Sequence, residues 1–247
     1  MSDRKKGLVE SRLRLNLQKL NLTDFSEYRL LLDSVQTSPA EIQNFINLLT
    51  TNKTDFFREP QHFNYIIQDL IPRWIHRKKP VSIWSCASST GEEPYTLSMV
   101  IEQNTPPDFA FHILATDIDT KVLKKAKNGV YPQEKLKEIP ERYQEKSISI
   151  GTKSAEGFLK LRKSTYKKIN FQHHNLIATP ALAEEKFDLI VCRNVMIYFK
   201  SETIEALMTK LHGSLKKNGI LFIGHAESIA GNEHLFKSIQ PAIYQKV

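Results

Sequence analysis

Four short stretches of this 247-residue chain set polar or charged residues beside small or apolar ones, as a site for a charged organic ligand requires. Thr51-Asn52-Lys53-Thr54-Asp55-Phe56-Phe57-Arg58 places an amide, hydroxyls and a guanidinium next to two aromatic rings. That grouping can hold an anion or a carboxylate beside an apolar surface; it would equally make a turn between helices with Phe56 and Phe57 in the core. Ser88-Ser89-Thr90-Gly91-Glu92-Glu93-Pro94-Tyr95 offers a glycine where backbone could approach a ligand. It also puts two carboxylates at a helix start, where the helix dipole alone would favour them. Ala115-Thr116-Asp117-Ile118-Asp119 ends a strand in a carboxylate suited to ribose hydroxyls. Asp119 reads as a helix N-cap, whereas Asp117 has no such local role. Cys192-Arg193-Asn194-Val195-Met196-Ile197-Tyr198-Phe199 puts Arg and Asn beside an apolar wall, which suits an adenine with a charged tail. An Asn turn with a buried Tyr198 would look the same.

Other chemistries lack their signatures. There is no G-x-G-x-x-G and no P-loop lysine, so neither a standard dinucleotide site nor an NTPase is indicated. His173-His174 has no third ligand nearby in sequence, and no metal is expected. His225 and Glu227 resemble an acid–base pair, but they follow a strand away from the four motifs and read as structural or solvent-facing.

The elements that must position these residues follow from periodicity. The first 77 residues read as helical. Ser38-Pro39-Ala40-Glu41 is a helix start with Ser38 as N-cap and Glu41 placed to close a capping box, and Ile42, Phe45, Ile46 and Leu49 then share one face. A further helix runs from Pro60, with Phe63, Ile66, Ile67 and Leu70 inward. From Pro80 onward short apolar strands alternate with helices: strands at 81–86, 111–116, 187–192, 220–224 and 242–245, and helices from Glu92, from Asp119 to Asn128 closed by Gly129, and from Ser201 to near Asn218-Gly219. Such alternation predicts a mainly parallel, doubly wound α/β sheet, with ligands at the C-terminal strand ends. One segment, about 132–170, is polar and basic and breaks the alternation; the pattern at Phe158–Lys163 reads as a strand, and the segment as a small helix and a β-hairpin inserted into the sheet domain. The expected organisation is an all-α N-terminal domain (1–77) and a Rossmann-like domain (78–247) carrying that β-subdomain.

The formal net charge of +8 favours an anionic partner by steering, be it nucleic acid, an acidic membrane surface or an acidic protein; simple solubility would also account for it. No apolar run approaches the roughly 18–20 residues that span a bilayer, and the N-terminus lacks a secretory apolar core. Two cysteines, Cys86 and Cys192, make no disulfide framework. A cytoplasmic protein is expected.

Taken in order, TxFFR, STGEEPY, ATDID, an Asn-Leu pair and CRNVxIYF resemble the CheR family of chemoreceptor methyltransferases, from about Thr51 to Glu227. Gly224-His225-Ala226-Glu227-Ser228 resembles the family's GHSE stretch, with Ala226 for the usual Ser. Cys86-Ala87-Ser88-Ser89 is an apolar-small variant of the first loop that still permits close approach. The resemblance implies a class I methyltransferase fold and S-adenosyl-L-methionine as cofactor, with S-adenosyl-L-homocysteine as product. It implies cofactor contacts from Asn52, Thr54, Arg58, Glu93, Asp117, Asn175, Leu176, Asn194 and Val195. It further implies methyl transfer to receptor glutamates, for which we expect Arg58 to orient the substrate carboxylate and Tyr198 to donate a hydrogen bond. The expected partner is an acidic chemoreceptor cytoplasmic helix, met by a monomer with no nucleic acid and no membrane insertion. Lys5, Lys6, Arg12, Arg14 and Lys19 would guide its approach, and the strand around Phe158–Lys163 would dock the receptor. Three other readings stay open: a cofactor-binding sensor or scaffold without turnover, a nucleic-acid methyltransferase, and a small-molecule methyltransferase.

Overall fold

The computed structural model describes residues 3–179, 182, 184, 186–229 and 231–247, apart from the side chains of residues 3–6 and 8. Three helices come first: α1 (Asp3–Lys19), α2 (Phe25–Asp33) and α3 (Pro39–Leu49). Their starts are capped as side-chain chemistry requires. Asp24 accepts from the backbone N–H of Ser26 and Glu27, and Ser38 from that of Glu41, with Pro39 just inside. Glu41 does not close a capping box. Its carboxylate instead accepts from Asn16 (2.9 Å) and the Tyr28 hydroxyl (2.7 Å), tying the three helices together over Leu13, Leu17 and Tyr28. Phe45 packs edge-on against Tyr28, while Ile42 remains exposed.

A second helical stretch, α4 (Pro60–Tyr65) and α5 (Ile71–Arg77), is joined by a single π-turn at Ile66–Leu70. Pro72, which has no N–H to return to that turn, accounts for the widening. This stretch is helical as expected, but Phe63, Ile66, Leu70 and Trp74 pack into the core of the sheet and not onto α1–α3.

The sheet follows: β1 (Val81–Cys86), α6 (Glu92–Asn104), β2 (Phe111–Asp117), α7 (Thr120–Asn128), then β3 (Val130–Pro132), α8 (Glu141–Ser147), β4 (Ile148–Ile150), β5 (Phe158–Leu161), α9 (Lys163–Tyr166), β6 (Ile169–His173), β7 (Phe187–Cys192), α10 (Ser201–Ser214), β8 (Leu215–Ile223), β9 (Phe236–Gln240) and β10 (Ile243–Lys246). The seven strands of the main sheet lie in the order β6-β2-β1-β7-β8-β10-β9. The first five are parallel, and β10 runs antiparallel to both β8 and β9. Alternate residues face opposite layers: Ile83, Ile113 and Val191 join one core, Trp84, Leu114 and Ile190 the other. Because the chain runs from β1 outward through β2 and β6, then returns to β7 on β1's other side, a crevice opens where β1 and β7 end.

Four expectations change. β6 is an additional parallel strand; only Phe171 in it is buried, so its sequence looks polar. α10 stops at Ser214, and Asn218-Gly219 lies inside β8, where pairing with β7 shifts register. The last strand is one arm of a β9–β10 hairpin. The inserted hairpin is a three-stranded antiparallel sheet, ordered β3-β5-β4.

The helical domain docks on the sheet through α3. Gln43 donates to the Ile118 carbonyl (2.8 Å), Asn47 donates to the Thr120 hydroxyl (3.1 Å), and Thr50 donates to Asp119 (2.6 Å). Lys5 and Lys6 lie outside the described side chains. Arg12 is not a free guide, because it donates to the Leu49 and Thr50 carbonyls at the end of α3; Arg14 and Lys19 are exposed. Among the described residues no helix is long and apolar enough to cross a membrane.

Candidate active site

The crevice is a cleft of about 400 Å³ over the C-terminal ends of β1, β2 and β7. All ten residues singled out from sequence line it. Asn52, Thr54 and Arg58 come from the crossing between α3 and α4, Glu93 from the first turn of α6, and Asp117 from the end of β2. Asn175 and Leu176 follow β6, Asn194 and Val195 follow β7, and Tyr198 ends the short turn Met196–Tyr198. Sequence reasoning missed Ile46 and Leu49, which turn from α3 to roof the cleft, and Ser89 and Ile177 on its walls.

At one end lies Asp117. It has a local role after all: one carboxylate oxygen accepts from the Ser89 N–H (2.8 Å) and the other from the Asp119 N–H (2.9 Å). Each oxygen keeps a further lone pair for a ligand hydroxyl. Burial pushes the Asp117 carboxyl above its usual range, against these N–H donors. Asp119 caps α7 as expected and also receives the Asn52 amide at 2.8 Å. The loop after β1 turns on Ala87 and Ser89, both at positive φ and both lining the cleft. Each such non-glycine residue costs on the order of 1 kcal/mol. Gly91 is not the point of close approach; a Cβ there would stand 3.0 Å from Ala126 and Tyr95 and 3.1 Å from the Tyr131 hydroxyl, so its small size serves packing.

At the other end a buried guanidinium organises two carboxylates. Arg193 reaches Glu59 at 3.3 Å and Glu93 at 3.4 Å, and donates to the Arg58 carbonyl at 2.5 Å. Glu93 also accepts from Ser85 at 2.7 Å. Burial pushes the Glu93 carboxyl up, more than Arg193 and Ser85 pull it down. For Glu59 burial acts the same way, but Arg193 and Asn194 outweigh it and the carboxyl is held low. Glu59 was not read from sequence; it sits at φ 58°, a left-handed position that aims it inward.

Glu227 holds the Asn194 loop. Its carboxylate accepts from the backbone N–H groups of Asn194 (2.8 Å), Met196 (2.7 Å) and Gly224 (2.7 Å), so it is structural, as expected. A Cβ on Gly224 would meet the Asn194 amide at 2.5 Å, which explains the glycine. Glu227→Ala is expected to cost about 1–3 kcal/mol by orphaning these donors and to weaken cofactor binding while leaving turnover at saturating cofactor nearly intact. Denaturant melts with calorimetric titration check it.

The mouth is open. Tyr198 is 55 % exposed and Ile197 50 %, so Tyr198 is a rim residue and not a buried one. Arg58 is half-buried beside them, with one weak bond to the Lys53 carbonyl (3.3 Å).

The model of the CheR methyltransferase SAM binding domain matches residues 52–244, and that of the CheR all-alpha domain residues 1–50. The chain belongs to the CheR methyltransferase family. A chemotaxis protein methyltransferase of Escherichia coli is 39 % identical over 99 % of this chain and 84 % of its own length. Chemotaxis protein methyltransferase 2 of Pseudomonas aeruginosa is 38 % identical over 99 % and 86 %, and a Borreliella burgdorferi relative 35 % identical over 100 % and 88 %. The two CheR matches meet near residue 51, where the packing also changes hands.

The cleft of this CheR chain fits S-adenosylmethionine by the chemistry of its donors. Leu176, Val195 and Ile118 offer apolar contact for a base, Asp117 spare acceptors for ribose hydroxyls, and Glu93 a carboxylate for the cationic methionine end. A pH dependence follows. If Glu93 holds that cation, then as pH falls through its raised value the carboxylate would protonate and lose the attraction. Cofactor affinity should therefore fall on acidification, beginning above the ordinary carboxylate range. The apo protein behaves oppositely at this residue: a raised carboxyl destabilises when ionised, so protonation of Glu93 favours folding. Glu93→Gln should cost about 1.5–3 kcal/mol of cofactor binding and flatten the profile, as calorimetry across pH would show.

Proposed function

We infer that the chain methylates glutamate carboxylates of chemoreceptors using S-adenosylmethionine. The observation that carries this reading is the polarity of the cleft. Its floor holds Asp117 and Glu93, suited to a cationic cofactor, while its rim presents Arg58 and Tyr198, suited to an incoming carboxylate. The cofactor, when bound, supplies an electrophilic methyl group.

Glutamate has a reference pKa of about 4.3, so it is already ionised near neutrality and needs no general base. The residues of the cleft must therefore bind, orient and desolvate. Arg58 would grip the carboxylate as an ion pair, and the Tyr198 hydroxyl would hold its second oxygen. Alignment of this kind can contribute roughly 7–11 kcal/mol. The exposed mouth admits a side chain presented on a large partner. We place that partner's acidic cytoplasmic helices against a monomer in the cytoplasm, steered by residues such as Arg14 and Lys19.

Docking on the β-subdomain belongs to the same proposal. Lys160 is exposed on β5, whereas Arg162 donates to the Ile148 carbonyl (2.8 Å) and holds the subdomain together. Lys160→Glu is thus the informative variant, expected to weaken receptor binding and leave cofactor affinity unchanged. The net charge of +8 would suit a nucleic acid as well as an acidic protein, but the family matches favour receptor methylation over the sensor, nucleic-acid and small-molecule readings. Peptide mapping of a receptor cytoplasmic fragment after reaction should find added methyl groups on glutamate side chains. Methyl on lysine, on a nucleic-acid base or on no residue at all would overturn the reading.

A further inference from the structure

Behind the segment that carries Arg58, three side chains from two places in the chain converge: Glu59 at the start of α4 and His62 in its first turn, and His225 in the turn after β8. One potential ligand atom from each lies within 4.8 Å of the other two, the sole such group of three or more His, Cys, Asp or Glu among the described residues. His62 Nδ1 stands 3.6 Å from Glu59 Oε2, and the two imidazole centres are 5.3 Å apart. None of the three lines the cofactor cleft.

His62 makes the group unusual. Its side chain is 1 % exposed, yet neither ring nitrogen has a hydrogen-bond partner of normal geometry among the described residues. The ring stacks on Phe222 at 4.7 Å, which fixes its plane. The Ala242 backbone approaches the ring without making a hydrogen bond of normal geometry. An imidazole that carries a single proton keeps a lone pair on its other ring nitrogen. A buried nitrogen left unpaired costs on the order of 1–3 kcal/mol, and this ring, 3.6 Å from a carboxylate oxygen that also faces Arg193 at 3.3 Å, has no hydrogen-bond partner on either nitrogen among the described residues, so a metal ion would satisfy one of them.

Charge balance allows one. Arg193 lies between Glu59 and Glu93, so that buried group carries two carboxylates against one guanidinium. Two imidazoles and a carboxylate are the donors preferred by borderline divalent ions, with bonds of about 2.0–2.2 Å to zinc. Separations of up to 4.8 Å must close to reach that scale, and His225 is the exposed member of the three. Solvent would complete the shell on the same side.

We propose that Glu59, His62 and His225 form a binding site for a divalent transition-metal ion, zinc foremost, which ties the start of α4 to the turn after β8. The ion stands outside the cleft and takes no part in methyl transfer. Its effect is to fix Glu59, whose other oxygen receives the Asn194 amide at 3.3 Å.

The test uses untagged full-length protein stripped with chelator, titrated with Zn2+ against a chromophoric competitor and with Co2+ followed by visible absorption. One ion per chain, Co2+ bands typical of nitrogen and oxygen donors at low coordination, and a raised melting temperature are expected. His225→Ala, a surface change that should leave the fold intact, is expected to weaken zinc about 100-fold or more, and His62→Gln likewise. No uptake would overturn the proposal and leave His62 to ordinary water. Uptake unaffected by His225→Ala would overturn it equally, by placing the ion elsewhere.

Discussion

Arg193→Met should destabilise the protein by about 3–5 kcal/mol, the usual cost of removing one partner from a buried ion pair. The side chain is 3 % exposed and serves Glu59, Glu93 and the Arg58 carbonyl at once. Without it two carboxylates remain in a dry environment without their shared guanidinium, although Asn194 still donates to Glu59 and Ser85 to Glu93. Burial would then dominate at both, and both carboxyls would rise. The deficit should be largest at neutral and alkaline pH, where both are ionised. It should shrink on acidification as they take up protons, since a carboxyl raised by folding destabilises only while charged. Adding Glu93→Gln to the variant should recover part of the loss. Denaturant unfolding of the three proteins as a function of pH measures this. A loss independent of pH would mean that packing, and not charge, is what Arg193 supplies.

The second large effect concerns turnover. Arg58→Ala should lower kcat by about 100-fold, the scale on which a misplacement near 1 Å acts, while cofactor affinity changes little. The expected split arises from position. Arg58 makes one weak internal bond, so its removal orphans no buried group, and it lies on the rim where the carboxylate must enter. Arg58→Lys should recover only a part, since an ammonium lacks the planar fork that matches a carboxylate. Initial rates with a receptor fragment, beside calorimetric cofactor titration, separate the two quantities. Equal loss in both would move Arg58 from the substrate to the cofactor.

Seven of the ten cleft residues follow strands, whose ends in such sheets converge at one crevice; Asn52, Thr54 and Arg58 lie between α3 and α4 and were legible as one contiguous polar motif. What joins those motifs was not legible. The reach of Glu59 to Arg193 spans 134 positions in sequence, and that of Glu227 to Asn194 spans 33. No local spacing encodes either, although the glycine at 224 before His225-Ala226-Glu227 marked a tight approach. Asp117 seemed to lack a local role, yet one oxygen takes the Asp119 N–H two residues on and the other the Ser89 N–H of the neighbouring loop, which no local spacing announces. Gly91 seemed to make room for a ligand and instead makes room for Ala126 and Tyr131. β6 escaped notice as an edge strand with one buried residue, and the extent of β8 was obscured by Asn218-Gly219, which usually stops a helix but here sits within a strand. His62 and His225, 163 positions apart, carried no metal-like spacing for the same long-range reason.

The central claim is that the carboxylate-lined floor and the arginine rim together make a carboxyl methyl ester. The direct test is to incubate the protein with methyl-labelled S-adenosylmethionine and a chemoreceptor cytoplasmic fragment, then treat the labelled receptor with mild alkali. Label released as volatile methanol, and dependent on Arg58, is the result expected. Label that resists alkali would assign the methyl to nitrogen or carbon and contradict the account. So would tight cofactor binding with no label transferred to any receptor offered.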